Sequence, residues 1–348
     1  MNCVSLFANV GIAETYISKH HMHVVVANEL LEKRAQFYKE QHPNCNMIQG
    51  DITNSRIYKK LLDTAKREDC QFLLATPPCQ GMSVAGKMEE DDPRNSLIRY
   101  VVEFIKELQP NHALIENVTG ILKTYISIDG KKTKVVDYIH NELEPLGYFI
   151  NPTIVDTADF GTAQSRKRAI FLISKIKKWE LPKKKNKITV RDMIFDLPSL
   201  ESGESSNIPY HEAKIHNKRH IKVLKHTPTG KTALHNKVHY PKKEDGTRIK
   251  GYATTYKRIE WDKPAPTITM ANGSVSSQNN VHPGRIKDDG TYSDARVLTL
   301  KEIFILTGLP DDWQPPIWAS ENLVRQVIGE GVPPKLIDNI LSTIPLNP

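Results

Sequence analysis

Alternation constrains this chain most. Over its first 175 residues, short apolar runs rich in β-branched and aromatic residues are separated by amphipathic stretches. The runs predict strands over Val4–Phe7, His23–Ala27, Phe72–Ala75, Ala113–Glu116, Phe149–Val155 and Ala169–Ser174. Between them the spacing predicts helices over Ala13–Lys19, Leu30–Gln41, Arg56–Arg67, Ser96–Leu108 and Val135–Leu143. In the fourth of these, Leu97, Tyr100, Val101, Phe104, Ile105 and Leu108 fall on one face of a 3.6-residue period. Strands that alternate with helices bury both sheet faces, so a parallel sheet covered on both sides is expected, an α/β fold of the Rossmann-like kind. Ligands bind such sheets beyond the carboxyl ends of the strands. The residues just after each strand are therefore the ones to read for chemistry.

The alternation stops near Lys175, where the run from 175 to 187 is dominated by lysine. From there to about Asn280 the chain is rich in Thr, Asn, His and Gly and poor in periodic apolar stretches, which predicts a smaller domain with few regular elements. Charge divides the same way. Residues 1–170 carry a net −1, residues 171–280 a net +12 and residues 281–348 a net −3. A basic block in a neutral frame is the footprint of a polyanion-binding surface, and equally of a solvated lysine-rich insertion. Order returns with a helical run over Leu298–Leu306, stopped by Gly308-Leu309-Pro310, and a last helix over Pro334–Leu341. The 348 residues suit two domains. No apolar run approaches the ~20 residues of a membrane helix, and the N-terminus lacks a leader pattern. The four cysteines form no C-x-x-C pair, so neither a disulfide scaffold nor a metal site is expected, and a cytoplasmic location is the default.

Three strand ends predict a nucleoside pocket. The first ends in Phe7-Ala8-Asn9-Val10-Gly11, a tight turn whose backbone N–H groups can approach a polar ligand. The second ends in Asn28-Glu29, placing an acid 18 residues after Gly11, where a ribose diol is bound in such folds. Gly50-Asp51-Ile52 supplies a further acid after the next helix. Each acid alone is as readily a helix cap or a loop carboxylate. No phosphate-gripping G-x-x-x-x-G-K-[ST] is present. The fourth strand end is Thr76-Pro77-Pro78-Cys79-Gln80-Gly81-Met82-Ser83. Two prolines force an extended loop that presents Cys79 in a fixed direction, whereas Cys3 and Cys70 read as small buried hydrophobes. Glu116-Asn117-Val118 ends the next strand, and Gln164-Ser165-Arg166-Lys167-Arg168 precedes the last.

Pro77-Pro78-Cys79-Gln80, Glu116-Asn117-Val118 and Gln164-x-Arg166-x-Arg168, in this order, resemble the DNA (cytosine-5)-methyltransferase family. So do Phe7-x-x-x-Gly11, Arg296-x-Leu298-Thr299 through Gly308-Leu309-Pro310-Asp311, and Gly329-Glu330-Gly331-Val332-Pro333. The resemblance covers nearly the whole chain outside the basic block. It implies an S-adenosylmethionine-dependent methyltransferase domain over 1–180, completed by 322–348, and a target-recognition domain with hinge over 181–321. It implies double-stranded DNA as substrate, S-adenosylhomocysteine as product, no metal, a monomer, and functional pairing with a restriction endonuclease. Cys79 would add to cytosine C6, Glu116 would hold N3 and the exocyclic amine, Arg166 would bind near O2 or brace Glu116, and Asn117 would orient the Pro77–Gln80 loop. Arg168 completes the implied catalytic set. The resemblance gives the cofactor Phe7, Val10, Gly11, Glu29, Leu30, Asp51, Ile52, Pro78, Leu97, Glu330 and Val332, and gives DNA Gln80, Ser83, Gln164, Arg258, Thr267 and Thr269.

The chain departs from the family pattern at Asn9 and Ile12, where glycines are common, at Ser5, often Asp, and at Glu330, usually Asn. Asn tolerates a left-handed backbone, whereas Ile12 is expected to crowd the cofactor side. A tRNA-directed relative would carry a later cysteine, and none follows Cys79. A relict DNA-binding protein would have no chemical need for Cys79, Glu116 and Arg166 together.

Overall fold

A seven-stranded sheet organises the first part of the computed structural model, which describes residues 1–78, 96–128 and 130–346. In chain order the sheet contains β1 (Asn2–Leu6), β2 (His23–Glu29), β3 (Asn46–Gln49), β4 (Cys70–Ala75), β5 (His112–Asn117), β8 (Phe149–Asp156) and β9 (Lys167–Ser174). Its spatial order is β3-β2-β1-β4-β5-β9-β8. The pairs from β3 across to β5 are parallel, as expected. β9 runs antiparallel to both β5 and β8, so the sheet is mixed rather than parallel throughout. The connection from β8 to β9 spans residues 157–166, too short to carry a crossover helix, so the chain returns as an antiparallel neighbour.

Helices α1 (Glu32–Gln41), α2 (Ser55–Arg67), α3 (Leu97–Leu108) and α4 (Val135–Leu143) cover the sheet. Successive β3 residues show the two faces: Ile48 joins the core under α2, α3 and α4, and Met47 joins the cluster under α1 with Ala35 and Tyr38. In α2 the Asn54 side chain accepts the Arg56 N–H as N-cap, and Leu61, Leu62 and Ala65 are buried. Each such leucine stabilises the fold by about 1.5–3 kcal/mol through area removed from water.

Two local expectations change. Residues 13–19 form no α-helix; only a 3₁₀ turn, Ile17–His20, is present. The backbone bonds there close at i→i−3, and Thr15 Oγ1 donates to the Ile12 carbonyl, in competition with helical bonding. A hairpin of β6 (Tyr125–Ile128) and β7 (Lys131–Lys134) follows β5. Its lysine-rich second strand lacks an apolar alternation, and Asp129-Gly130 was its only sequence signal.

By Cα proximity the chain forms two units: Met1–Asp156 with Lys167–Lys184 and Leu336–Pro348, and Thr157–Arg166 with Lys185–Lys335. The second therefore holds Gln164–Arg166 and residues 322–335, which the sequence reading grouped with the first domain. It has few regular elements, among them α5 (Val190–Ile194), α6 (Lys218–Lys225), α7 (Leu300–Thr307) and α8 (Glu321–Glu330). Helix α7 starts in a capping box between Thr299 and Glu302 and ends at Gly308, with φ 83°. Its helical run was expected one to two residues earlier. The last helix, α9 (Pro334–Leu341), begins at the expected proline.

Beside a small apolar cluster of Val223, Leu224, Tyr256, Val281 and Val297, the second unit buries charges. Arg296 pairs with Glu302 and Asp294, each at 2.9 Å, all three with 1% exposure or less. Burial works to raise the Glu302 carboxyl, but Arg296 holds it well below the usual carboxylate range. Arg258 is fully buried and donates to the carbonyls of His282, Asp294, Leu224 and Ser293. It was expected to contact DNA. With its N–H groups committed to backbone, it is a structural keystone instead.

Candidate active site

Strand ends of the first unit supply the site, and each is shaped by its sequence. At the end of β1, Phe7, Asn9 and Gly11 all have positive φ, at 59°, 51° and 81°. Asn9 thus takes the left-handed backbone that a glycine would otherwise provide. Gly11 has no alternative: a Cβ there would lie 2.0 Å from His42 Nε2. Ile12 is fully buried rather than crowding a ligand side.

Glu29 locks this turn to the end of β2. Its Oε2 accepts the Asn9 N–H and its Oε1 the Leu31 N–H, both at 2.9 Å. Burial pushes its carboxyl up, and these amides pull the other way. Asn28 clamps the third strand end by donating to the Ile48 and Gly50 carbonyls. Asp51 beside it is exposed, with Oδ1 accepting the Thr53 N–H. Ile52 and Val10 are buried, Phe7, Pro78 and Leu97 half-buried, and Leu30 is exposed. The set suits a nucleoside: an aromatic ring, a buried carboxylate at a strand end and an exposed carboxylate beside it.

The reactive end lies across β4, β5 and β9. Asn117 Nδ2 donates to the Pro77 carbonyl at 3.0 Å, and its Oδ1 accepts the Val118 N–H at 2.9 Å. One side chain thus ties Pro77, just after β4, to the end of β5. Arg168 Nε lies 2.8 Å from Glu116 Oε1, with Glu116 8% and Arg168 14% exposed at the side chain. The antiparallel register, Glu116 opposite Ile170 and Asn117 opposite Ala169, brings this pair together. The cation that braces Glu116 is therefore Arg168. Cys79, Gln80 and Ser83 lie outside the described residues.

Arg166 belongs to the second unit. Its guanidinium donates to the carbonyls of Ile268, Gly329 and Glu330 at 3.1, 2.9 and 3.1 Å. Gln164 is 2% exposed, and its Oε1 accepts the Ile268 N–H. Thr267 Oγ1 donates to the Ser165 carbonyl. Gln164 and Thr267, expected to read DNA, thus stitch residues 164–166 to residues 265–268, while Thr269 is half-buried. Gly329 allows the backbone of Thr269-Met270 to pass, since a Cβ there would lie 2.4 Å from Thr269 carbonyl atoms. Glu330 accepts from Gln326 Nε2 at 3.3 Å, and Val332 is buried.

Sequence reasoning missed Glu14. It is 2% exposed, its Oε1 accepts the Ser5 hydroxyl, and its Oε2 has no hydrogen-bond partner among the described residues. Burial pushes its carboxyl up to about 7. An acid inside a run read as amphipathic helix gave no signal of this.

Residues 1–345 match the family model for C-5 cytosine-specific DNA methylase. The type II methyltransferase M1.HgaI of Avibacterium volantium is 48% identical over 347 residues, covering 98% of this chain and 97% of that protein. M1.HphI of Haemophilus parahaemolyticus is 27% identical, covering 98% of this chain and 86% of that protein. Among solved structures, a prophage-encoded protein of E. coli superposes with a TM-score of 0.71 at 20% identity, covering 99% of this chain and 98% of that chain. Spodoptera frugiperda DNMT2 superposes at 0.62 and 16%, covering 98% of both. These structural likenesses establish the fold, a mixed α/β fold shared with those methyltransferases.

Proposed function

Because the chain belongs to the C-5 cytosine-specific DNA methylase family, as a DNA (cytosine-5)-methyltransferase of type II restriction–modification kind, we propose that it modifies one short DNA sequence through a covalent Cys79 adduct. The observation that carries this is the joint placement of Glu116, Arg168 and Asn117, with Asn117 holding Pro77 two residues before the cysteine. Cytosine C5 is a poor nucleophile in an intact ring. Addition of the Cys79 thiolate to C6 makes an enamine whose C5 is nucleophilic. Glu116 at N3 and the exocyclic amine stabilises the charge that builds on the ring, and Arg168 fixes the carboxylate's direction. Once C5 carries the methyl group, water takes the C5 proton, the thiolate leaves C6, and the aromatic ring of 5-methylcytosine is restored. The target carbon is closed off in stacked duplex DNA, so the base is flipped out at a cost of a few kcal/mol.

S-adenosylmethionine, when bound, supplies an electrophilic methyl group. Phe7 would pack on its adenine, Glu29 would bind the ribose hydroxyls and Asp51 would bind the adenine amine. Pro78, Leu97, Leu30, Ile52 and Val10 line that pocket, and resemblance gives Glu330 and Val332 the methionine end. A cognate restriction endonuclease is the functional partner.

Bisulfite sequencing of genomic DNA from cells expressing the chain, beside a Cys79→Ser control, tests this. Methylated cytosines in one recurring context, absent from the control, are expected. Methylation that persists in Cys79→Ser would overturn the adduct, and absence of any methylation by a folded, cofactor-binding protein would overturn the DNA substrate.

A further inference from the structure

The second unit contains a groove of about 390 Å³ between helix α6 and residues 238–244. Arg219, Lys222, Lys242 and Lys243 line it, and Glu244 is the one acid among its lining residues. All four cations are exposed, unlike Arg258, Arg296 and Arg325, whose guanidinium groups are buried and committed within the unit. Four cations facing one carboxylate around a concave space call for a polyanion. The groove's far wall is braced: Arg248 stacks over the Tyr240 ring at 4.0 Å, and the His226 and His239 rings lie 3.8 Å apart. Desolvation, then His226 and Lys222, hold His239 below its usual range.

We propose that this groove seats the phosphate backbone of the DNA duplex, with Arg219, Lys222, Lys242 and Lys243 as sequence-independent phosphate contacts. The proposal rests on the DNA-modifying reading above and deepens it by separating grip from base readout. Phosphate contacts fix the register of a protein on the duplex and carry no sequence information themselves. The basic residues of 171–280 thus divide: Arg258 is buried and holds the unit together, and four of the exposed ones line this groove to meet phosphates.

The test is fluorescence anisotropy of the full chain with a labelled mixed-sequence duplex, titrated across salt concentrations. The quadruple variant Arg219→Gln, Lys222→Gln, Lys242→Gln, Lys243→Gln is compared with wild type. The slope of log affinity against log salt should flatten by about 0.9 for each phosphate that is no longer neutralised. A control, Lys59→Gln with Lys60→Gln on exposed positions of α2, should keep the wild-type slope. Lys222→Arg alone, which retains the charge, should keep it too. An unchanged slope in the quadruple variant, at wild-type melting temperature, would overturn the groove while leaving the enzyme reading intact. A wild-type chain with no duplex affinity would overturn both.

Discussion

Asn117 is a single side chain that spans two strand ends, so its removal should act on geometry more than on binding. Asn117→Ala frees the Pro77 carbonyl and leaves the Val118 N–H without its partner. A misplacement of the loop before Cys79 by about 1 Å costs on the order of 100-fold in rate. We expect kcat to fall by about that factor with KM for DNA little changed, read by single-turnover methylation. Loss of rate through KM alone would show that Asn117 serves binding. Sequence carried much at this scale. Glu116 and Asn117 were legible as candidates because they end a strand, and Arg166 and Arg168 because they stand at the start of one. Which arginine meets Glu116 was not legible, because it depends on β9 running antiparallel to β5. The fate of Arg258 was hidden for a related reason: an arginine in a basic stretch reads as surface until its carbonyl partners, distant in sequence, come together around it.

At the scale of elements, strand runs rich in Val, Ile and Leu announced themselves, and α2, α3 and α4 began and ended within a residue of the expected bounds. The short turns and the lysine-rich hairpin β6–β7 did not, since their conformations depend on local hydrogen bonds rather than apolar period. The irregular unit was visible only as an absence of pattern. Its order comes from buried polar bonding, which sequence periodicity does not encode. Arg258 joins the end of α6 to residues 282–294 through four carbonyls. Leaving buried carbonyls unsatisfied costs about 1–3 kcal/mol each. Arg258→Ala should therefore destabilise the chain by about 4 kcal/mol or more, measured as a shift in the denaturation midpoint, whereas Arg219→Gln should stay within about 0.5 kcal/mol. Equal effects would mean that Arg258 bears no structural load.

For the molecule as a whole, the two units respond to pH in opposite directions. Glu14, in the first, has its carboxyl raised to about 7 by burial. Its folded form holds the proton more tightly than the unfolded chain, so stability is lost as pH rises from about 4.5 through 7. In the second, burial and then Arg296 push His282 down to about 3, while Arg296 holds Glu302 low despite its burial. The unfolded chain takes up those protons first, so stability is lost as pH falls below about 6.5. Glu14→Gln should raise the melting temperature at pH 8 and leave it nearly unchanged at pH 5. A uniform shift at both would show that packing, not protonation, governs that site. The chain also passes from one unit to the other four times, and the short excursion Thr157–Arg166 carries the arginine that bonds Ile268, Gly329 and Glu330. The second unit is therefore not a single cassette in the sequence. A graft that exchanged residues 185–335 between two such chains and left residues 157–166 behind would confront Arg166 with foreign carbonyls, so a successful transplant needs two splices, with the short one travelling alongside the long.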